Sequence, residues 1–298
     1  MKPLVTIGVP VRNGERFLTR ALDSHAAQTY PAIEIVVSDN ESSDRTPDIL
    51  ADRARQDQRI RIIRQQSLIG IVENFMTVLS AARGEYFMWA ADDDQWRPEF
   101  VEALVSELEA HPEAAAAMSA VDLVTEEGAP IQTIRFTGRY DPNTSSYARM
   151  LRSATTFQKL NFYLYGLYRT DVLRRAMRTF ADVPGPDRLF VCQLALGVRL
   201  RQVDRVLHLR TIHRRPTHLR LPEERFNALK RDRWADLRVL RALAWSLSRS
   251  EIIPWQRKLL LPYAMWRYTR LLLLLRGGAF AKRHLPQSVW RRLRERTN

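Results

Sequence analysis

The chain reads as an α/β fold, a mostly parallel sheet flanked by helices, followed by a basic helical C-terminal region. Three observations predict this. β-Branched runs of strand length alternate with helical stretches over the first 124 residues. Acidic residues gather where those strands end. The chain's excess positive charge is confined to its last quarter. A length of 298 residues fits about two domain-sized units, or one large fold with an appendage.

The first run, Leu4 to Val9, predicts a strand, and residues 15–27 a helix. Ile33 to Ser38, Ile60 to Ile63 and Tyr86 to Ala90 repeat the strand signal, with Ala115 to Val121 a weaker fifth. Helices are expected over 46–56, 71–82 and 98–109, the last with Pro98 in its first turn, where a missing N–H costs nothing. Strands and helices alternating at this spacing make βαβ units, whose ligands collect at the carboxyl ends of the strands. From about residue 126 to 142 the pattern breaks into Gly, Pro and polar residues. Helical segments are then expected near 146–159 and 188–196, and a strand over 201–209. Pro216 and Pro222 bracket a boundary. The expected catalytic domain is therefore 1–222, in two halves meeting near residue 124. The region 223–298 follows, with helices over 223–247, 252–275 and 286–296.

Composition sets aside several classes. The single cysteine, Cys192, cannot form an internal disulfide, so a reduced, cytoplasmic protein is expected. The strand-like start argues against a secretory leader. "GVPVRNGERF" lacks the glycine triad of a dinucleotide site, and no phosphate-binding loop of the P-loop type is present.

Chemistry concentrates in two places. "YFMWAADDDQW" puts Asp92, Asp93 and Asp94 in a row after a strand. An exposed acidic loop is the plainer reading; the sharper one is that Mg²⁺ or Mn²⁺ takes these oxygens together with substrate phosphates. "VVSDNESSDRT" puts Asp39 at a strand tip, where a carboxylate can accept from a base N–H or a ribose hydroxyl. Ser42, Ser43 or Asp44 would cap the next helix.

The order "TIGVPVRNGERFLTRALDS", "IEIVVSDNESSDRT" and "GEYFMWAADDDQWRPEF" resembles the family 2 glycosyltransferases, strongly over about residues 4–124 and more weakly to about 218. The resemblance implies the GT-A fold, a Rossmann-related sheet, and a nucleoside-diphosphate sugar as donor. It implies that Pro10 and Asp39 line the nucleotide pocket, beside Val11, Arg12 and Glu15 near the end of the first strand. It implies that the acidic segment reaches ribose and metal. The frame is displaced: aligned on Asp93, Asp94 and Trp96, the family's first acidic position falls on Ala91. The reading favoured here sets Asp92 near the ribose and Asp94 on the metal, with Asp93 competing for it. Asn74 is expected beside the donor pocket. Asp187, after a Gly/Pro turn, matches the family's later acidic residue and is the candidate base, with helix capping as the plainer role. Arg210 and His213 resemble the family's Arg-x-x-His segment, for the diphosphate and metal. Tyr165, Gly166 and Arg169 resemble the acceptor side, although core packing explains the tyrosine as well.

The expected activity is metal-dependent, inverting transfer to a carbohydrate or lipid-linked acceptor, in cell-surface polysaccharide or glycolipid synthesis. Three alternatives stand beside it: a nucleic-acid-binding protein, a nucleotidyltransferase and an inactive GT-A-like scaffold. Nucleic acid is disfavoured because it leaves Asp39 and the acidic triplet without a role. From Arg225 onward there are 18 Lys or Arg against four Asp or Glu; the preceding residues hold 29 of each. Five of the seven tryptophans lie in that tail. Arg267 and Arg270 interrupt its apolar run, so a spanning helix is not expected. An anionic membrane surface, a second copy of the chain and the catalytic domain itself remain as its partners.

Overall fold

The computed structural model describes residues 1–135, 161–180, 186–213, 235–259, 261–263 and 265–266. The predicted alternation forms with small shifts at the ends. In order come β1 (Val5–Val11), α1 (Leu18–Ala26), β2 (Ile33–Asp39), α2 (Thr46–Gln56), β3 (Ile60–Arg64), α3 (Ile71–Ser80), β4 (Tyr86–Trp89), β5 (Gln95–Trp96), α4 (Phe100–Ala110) and β6 (Ala114–Val124). Then follow β7 (Pro130–Ile134), a 3-10 turn (Asn161–Tyr165), β8 (Leu167–Arg169), α5 (Thr170–Met177), α6 (Pro186–Gly197), β9 (Arg199–Thr211), α7 (Ala235–Arg249) and α8 (Trp255–Lys258).

The described strands form one sheet, ordered β3-β2-β1-β4-β8-β6-β9-β5, with β7 beside β6. Pairings β1–β2, β1–β4, β2–β3 and β6–β9 are parallel. β8 enters antiparallel between β4 and β6 and joins the two halves. The sheet is the GT-A arrangement that the sequence implied.

Period-two sorting builds the core. Val5, Ile7, Val9 and Val11 of β1, with Ile33, Ile35 and Val37 of β2, face α1 and α4. Val36, Phe87 and Trp89 face the other way, onto α3 and α6. Full burial on both faces is why these strands read as continuous apolar runs rather than as alternation.

Three places differ from expectation. β7 forms in the stretch expected to be irregular, paired to β6 as a hairpin. β8 and α5 occupy the segment assigned to the acceptor. The strand expected at 201–209 runs from Arg199 to Thr211, because β6 offers it a ladder along its whole length. The helices expected near 146–159 and over 286–296 lie outside the described residues, as do parts of the other two tail helices.

His25 of α1 is fully buried, and among the described residues neither ring nitrogen has a hydrogen-bond partner. Its ring lies 4.9 Å from that of Trp96. Burial lowers its pKa from 6.5 to about 3. The unfolded chain therefore binds the extra proton between those values, and stability is lost as pH falls through that window. We expect stability against urea to fall on going from pH 7 to pH 5, by up to about 1.4 kcal/mol per pH unit from this group. A His25→Gln variant should show a shallower acid slope, and an unchanged slope would remove His25 from the account.

Candidate active site

The ends of β1 and β2 lie side by side, with Pro10 opposite Ser38 and Val11 opposite Asp39. The loops beyond them are laced together. Asn13, at a φ of 53°, donates its N–H to Ser42 Oγ at 2.9 Å, and Gly14 donates to Thr46 Oγ1 at 2.8 Å. Glu15 N–H donates to Asp44 Oδ2 at 3.1 Å, while Arg45 N–H returns to Glu15 Oε2 at 3.1 Å. Glu15 thus braces the loop, and Asp44 caps α2 through Thr46 N–H at 3.0 Å. Arg12 is exposed beside them.

Asp39 is 1% exposed. Its Oδ1 accepts from Ser42 N–H at 3.1 Å. Among the described residues no hydrogen bond reaches its buried Oδ2; the exposed Arg64 forms an ion pair with it, Nε at 3.9 Å. An orphaned carboxylate oxygen is costly, so such an atom at a strand end marks a place for a donor. Asn74 does not point there: it is buried, accepts from Ser38 Oγ at 2.6 Å and donates to Ser38 O at 3.3 Å. Its role is to hold the end of β2.

The acidic triplet follows β4, on the other side of β1, and its carboxylates part ways. Asp92 turns to the β1 side, where Gly14 makes room: a Cβ there would meet Asp92 Oδ2 at 2.7 Å. Burial, then the neighbouring Asp93 charge, raises the Asp92 pKa well above the usual carboxylate range. Asp93 Oδ2 meets His213 Nε2 at 2.6 Å. Asp94 is 2% exposed; His208 Nε2 donates to its Oδ2 at 2.9 Å, and Thr211 N–H to its Oδ1 at 2.9 Å. Both Asp94 oxygens are therefore engaged within the protein, whereas the Asp93 side chain retains 19% exposure.

Several partners here were not picked out from sequence. Glu126, just past β6, accepts from His213 Nδ1 at 2.9 Å and pairs with Arg16 at 2.7 Å. Arg20 of α1 donates to Glu126 O at 2.8 Å and to Thr211 Oγ1 at 3.1 Å. A cavity of about 260 Å³ lies between Arg16, Phe17, Arg20, Glu126 and Glu127. Trp96 stacks on His208 at 4.9 Å with planes 2° apart, so the ring that holds Asp94 is itself held. Burial would lower the His213 pKa, but its bonds to Asp93 and Glu126 outweigh that and raise it.

Of the residues assigned to the acceptor, one sits near this loop. The Tyr165 ring stands edge-on to His208 at 5.7 Å, and the Arg210 guanidinium lies 6.0 Å from the Tyr165 ring centre. Gly166 is there for packing, since a Cβ would stand 2.7 Å from Ala117 O. Arg169 lies at the opposite end of the sheet. It donates to Ala114 O at 3.0 Å, Leu108 O at 2.8 Å and Tyr86 Oη at 3.1 Å, and so ties the starts of β4 and β6 to the end of α4. Asp187 is in the first turn of α6, and its side chain lies outside the described residues.

The fold, with two acidic strand ends on either side of β1, is that of the GT-A class. Residues 6–175 match the model of glycosyl transferase family 2, and the chain belongs to that family. An uncharacterised protein of Mycobacterium bovis is 40% identical over 120 residues, which is 39% of this chain and 35% of that protein. An uncharacterised glycosyltransferase of Haemophilus influenzae is 30% identical over 125 residues, 42% of this chain and 39% of its own length. The chain thus spans little more than a third of these relatives. Among solved structures, S. aureus TarS with UDP-GlcNAc superimposes with a TM-score of 0.64 at 18% identity, over 90% of this chain and 72% of that one. The mannosyltransferase PcManGT of Pyrobaculum calidifontis, with GDP-Man and Mn²⁺, gives 0.53 at 19% identity, over 97% and 83%. At these identities the likeness is one of fold.

Because Glu126 holds the far nitrogen of His213, Glu126→Gln should lower the His213 pKa while leaving the fold intact. Imidazole titration by NMR checks this; an unmoved titration would show that Asp93 alone sets it.

Proposed function

We propose that this chain is an inverting glycosyltransferase that moves a sugar from a nucleoside-diphosphate sugar to a hydroxyl of a carbohydrate or lipid-linked acceptor. The observation that carries this reading is the buried Oδ2 of Asp39 at the carboxyl end of β2, which no described residue hydrogen-bonds, with the acidic loop across β1 from it. That oxygen suits a base N–H, and a buried charged acceptor that gains its donor contributes strongly to affinity. Nucleic acid binding would use the basic tail and leave this arrangement idle.

The residues fit a divalent cation in a limited way. Among the described residues no three His, Cys, Asp or Glu converge on one point. Asp93 and His213 do meet, and Mn²⁺ or Mg²⁺ commonly takes one or two side chains and completes its shell with water and phosphate. Asp93 would hold the ion, joined by His213 Nε2 once that nitrogen has given up its proton and left Asp93, with Asp94 acting as an internal brace. When bound, such an ion neutralises charge on the departing diphosphate.

The chain's own residues do the rest. Asp39 fixes the base and Asp92 approaches the ribose. Arg210 supports the diphosphate, and Tyr165 walls the acceptor side. Asp187 takes the proton from the acceptor hydroxyl as its oxygen bonds to the anomeric carbon. The bond from that carbon to the diphosphate oxygen breaks, and the nucleoside diphosphate leaves with the electron pair. One displacement inverts the anomeric centre. A product in such synthesis would be a cell-surface polysaccharide or glycolipid.

Calorimetry with UDP, GDP and dTDP, with and without Mn²⁺, tests the donor site. Asp39→Ala should weaken binding by about 10- to 100-fold, the value of a charge-assisted hydrogen bond. Asp93→Asn should abolish the gain from Mn²⁺, while Asp94→Asn should chiefly lower the unfolding midpoint. Failure of all three nucleotides to bind would sink the transferase reading.

Asp187→Asn should bind donor normally and lose about 100-fold or more in turnover, the usual worth of a general base. Full activity in this variant would leave Asp187 as a helix-terminal residue only.

A further inference from the structure

The segment after α7 carries apolar side chains on two sides. Ile252 and Ile253 are buried, and Leu261 and Met265 pack against the same core cluster. Arg257 Nη1 donates to Leu196 O at 3.0 Å and Gly197 O at 3.2 Å, capping the last carbonyls of α6. Gln193 Nε2 donates to Ser246 Oγ at 3.1 Å, and Ser246 Oγ donates to Thr179 O. The segment is therefore fixed to the domain by its inner side.

Its outer side is apolar too. Trp255 is 70% exposed, Leu259 72%, Tyr263 37% and Trp266 54%. Trp255 opens α8 and Leu259 follows its last residue, while Tyr263 and Trp266 lie in the helical residues just beyond. The Tyr263 and Trp266 rings lie 5.9 Å apart. Single exposed apolar residues are ordinary, but four large ones within twelve residues of a segment already anchored to the core mark an interaction surface. Arg249 and Lys258 flank it, and from Arg225 onward bases outnumber acids 18 to four.

We propose that this patch docks on an anionic lipid bilayer surface, with Trp255, Leu259, Tyr263 and Trp266 entering the interface and the flanking bases meeting headgroup phosphates. Tryptophan and tyrosine suit that boundary, where one end of the ring is apolar and the other wet. A second copy of the chain would bring two strongly positive tails together. A polyanion such as RNA would match the charge but not Leu259. Among the described residues no helix is long and apolar enough to cross a membrane, so contact is with the surface. The patch adjoins the corner where α6 ends and β9 begins, at the other end of β9 from Thr211. Docking there leaves the acidic loop uncovered, so donor binding and lipid binding are separable.

The test uses the full chain in sedimentation with phosphatidylglycerol-containing vesicles and with pure phosphatidylcholine vesicles, at low and high salt. Binding should be more than about tenfold stronger to the anionic vesicles and should weaken with salt. The variant W255S/L259S/Y263S/W266S should lose at least about tenfold while its circular dichroism and nucleotide affinity stay unchanged. Equal binding by that variant would show plain electrostatic adsorption and overturn the proposal, as would failure to bind anionic vesicles. A dimer in light scattering that the variant abolishes would assign the patch to a second copy instead. Should the variant misfold, brominated lipid must quench tryptophan emission of the unmodified protein, and absence of quenching is equally decisive.

Discussion

Three consecutive carboxylates can share one loop only if each either meets a partner or holds its proton more tightly, as the raised pKa of Asp92 shows. Two unit charges about 4 Å apart near a protein surface repel by about 4 kcal/mol. Here Asp92 turns to the pocket opened by Gly14, Asp93 to His213, and Asp94 to His208 and Thr211. The partners of Asp93 and Asp94 come from the end of β9 and the residues just past it. β9 reaches that far because it runs thirteen residues alongside β6. β6, in turn, ends where Glu126 can hold the other side of His213. The loop is thus a second point, beside β8, at which the two halves of the sheet are fastened to each other.

This fastening divides the triplet by function. A carboxylate with both oxygens bonded inside the protein, as in Asp94, is a structural anchor whose removal leaves a buried histidine and a backbone N–H unpaired. Asp93 meets His213 at 2.6 Å through Oδ2 and its side chain retains 19% exposure, which leaves it within reach of a ligand. Asp39 is the complementary case, buried with one oxygen that no described residue hydrogen-bonds. The protein stays folded around that cost because the loops at the ends of β1 and β2 bind each other through Asn13, Gly14, Glu15, Ser42 and Thr46 rather than through Asp39.

What could be read from sequence was local. Fully buried parallel strands announce themselves as apolar runs, so β1 to β4 and their helices were legible, as was Asp39 at the tip of β2. The internal engagement of Asp94 was not, since its partners lie more than 110 residues away and a histidine in a strand carries no local mark of what it faces. Glu126 was hidden for the same reason, within a stretch rich in turn residues. In the segment from Tyr163 to Arg169 the structure separates residues that the sequence put together: Tyr165 lies near the acidic loop, whereas Arg169 lies at the opposite end of the sheet. The segment's aromatic and charged residues resemble a binding surface, but Gly166 and Arg169 serve the antiparallel insertion of β8, a strand of three residues too short to signal itself.

Charge and packing do not divide the chain at the same place. The surplus of positive charge begins at about residue 225, yet Leu247, Ile252 and Ile253 sit in the same buried cluster as Trp89 of β4 and Phe190 of α6. A tail evolved only as a charged tether would need no such anchor, because electrostatic attraction to a surface works through a flexible chain as well. A tail that only completed the core would not leave two tryptophans and a leucine more than half exposed. Anchoring on one side and apolar exposure on the other fix the orientation of the outer face relative to the sheet. Fixed orientation matters only for a partner that the whole domain must address from a defined direction, which is what an extended surface demands and a flexible polyanion does not.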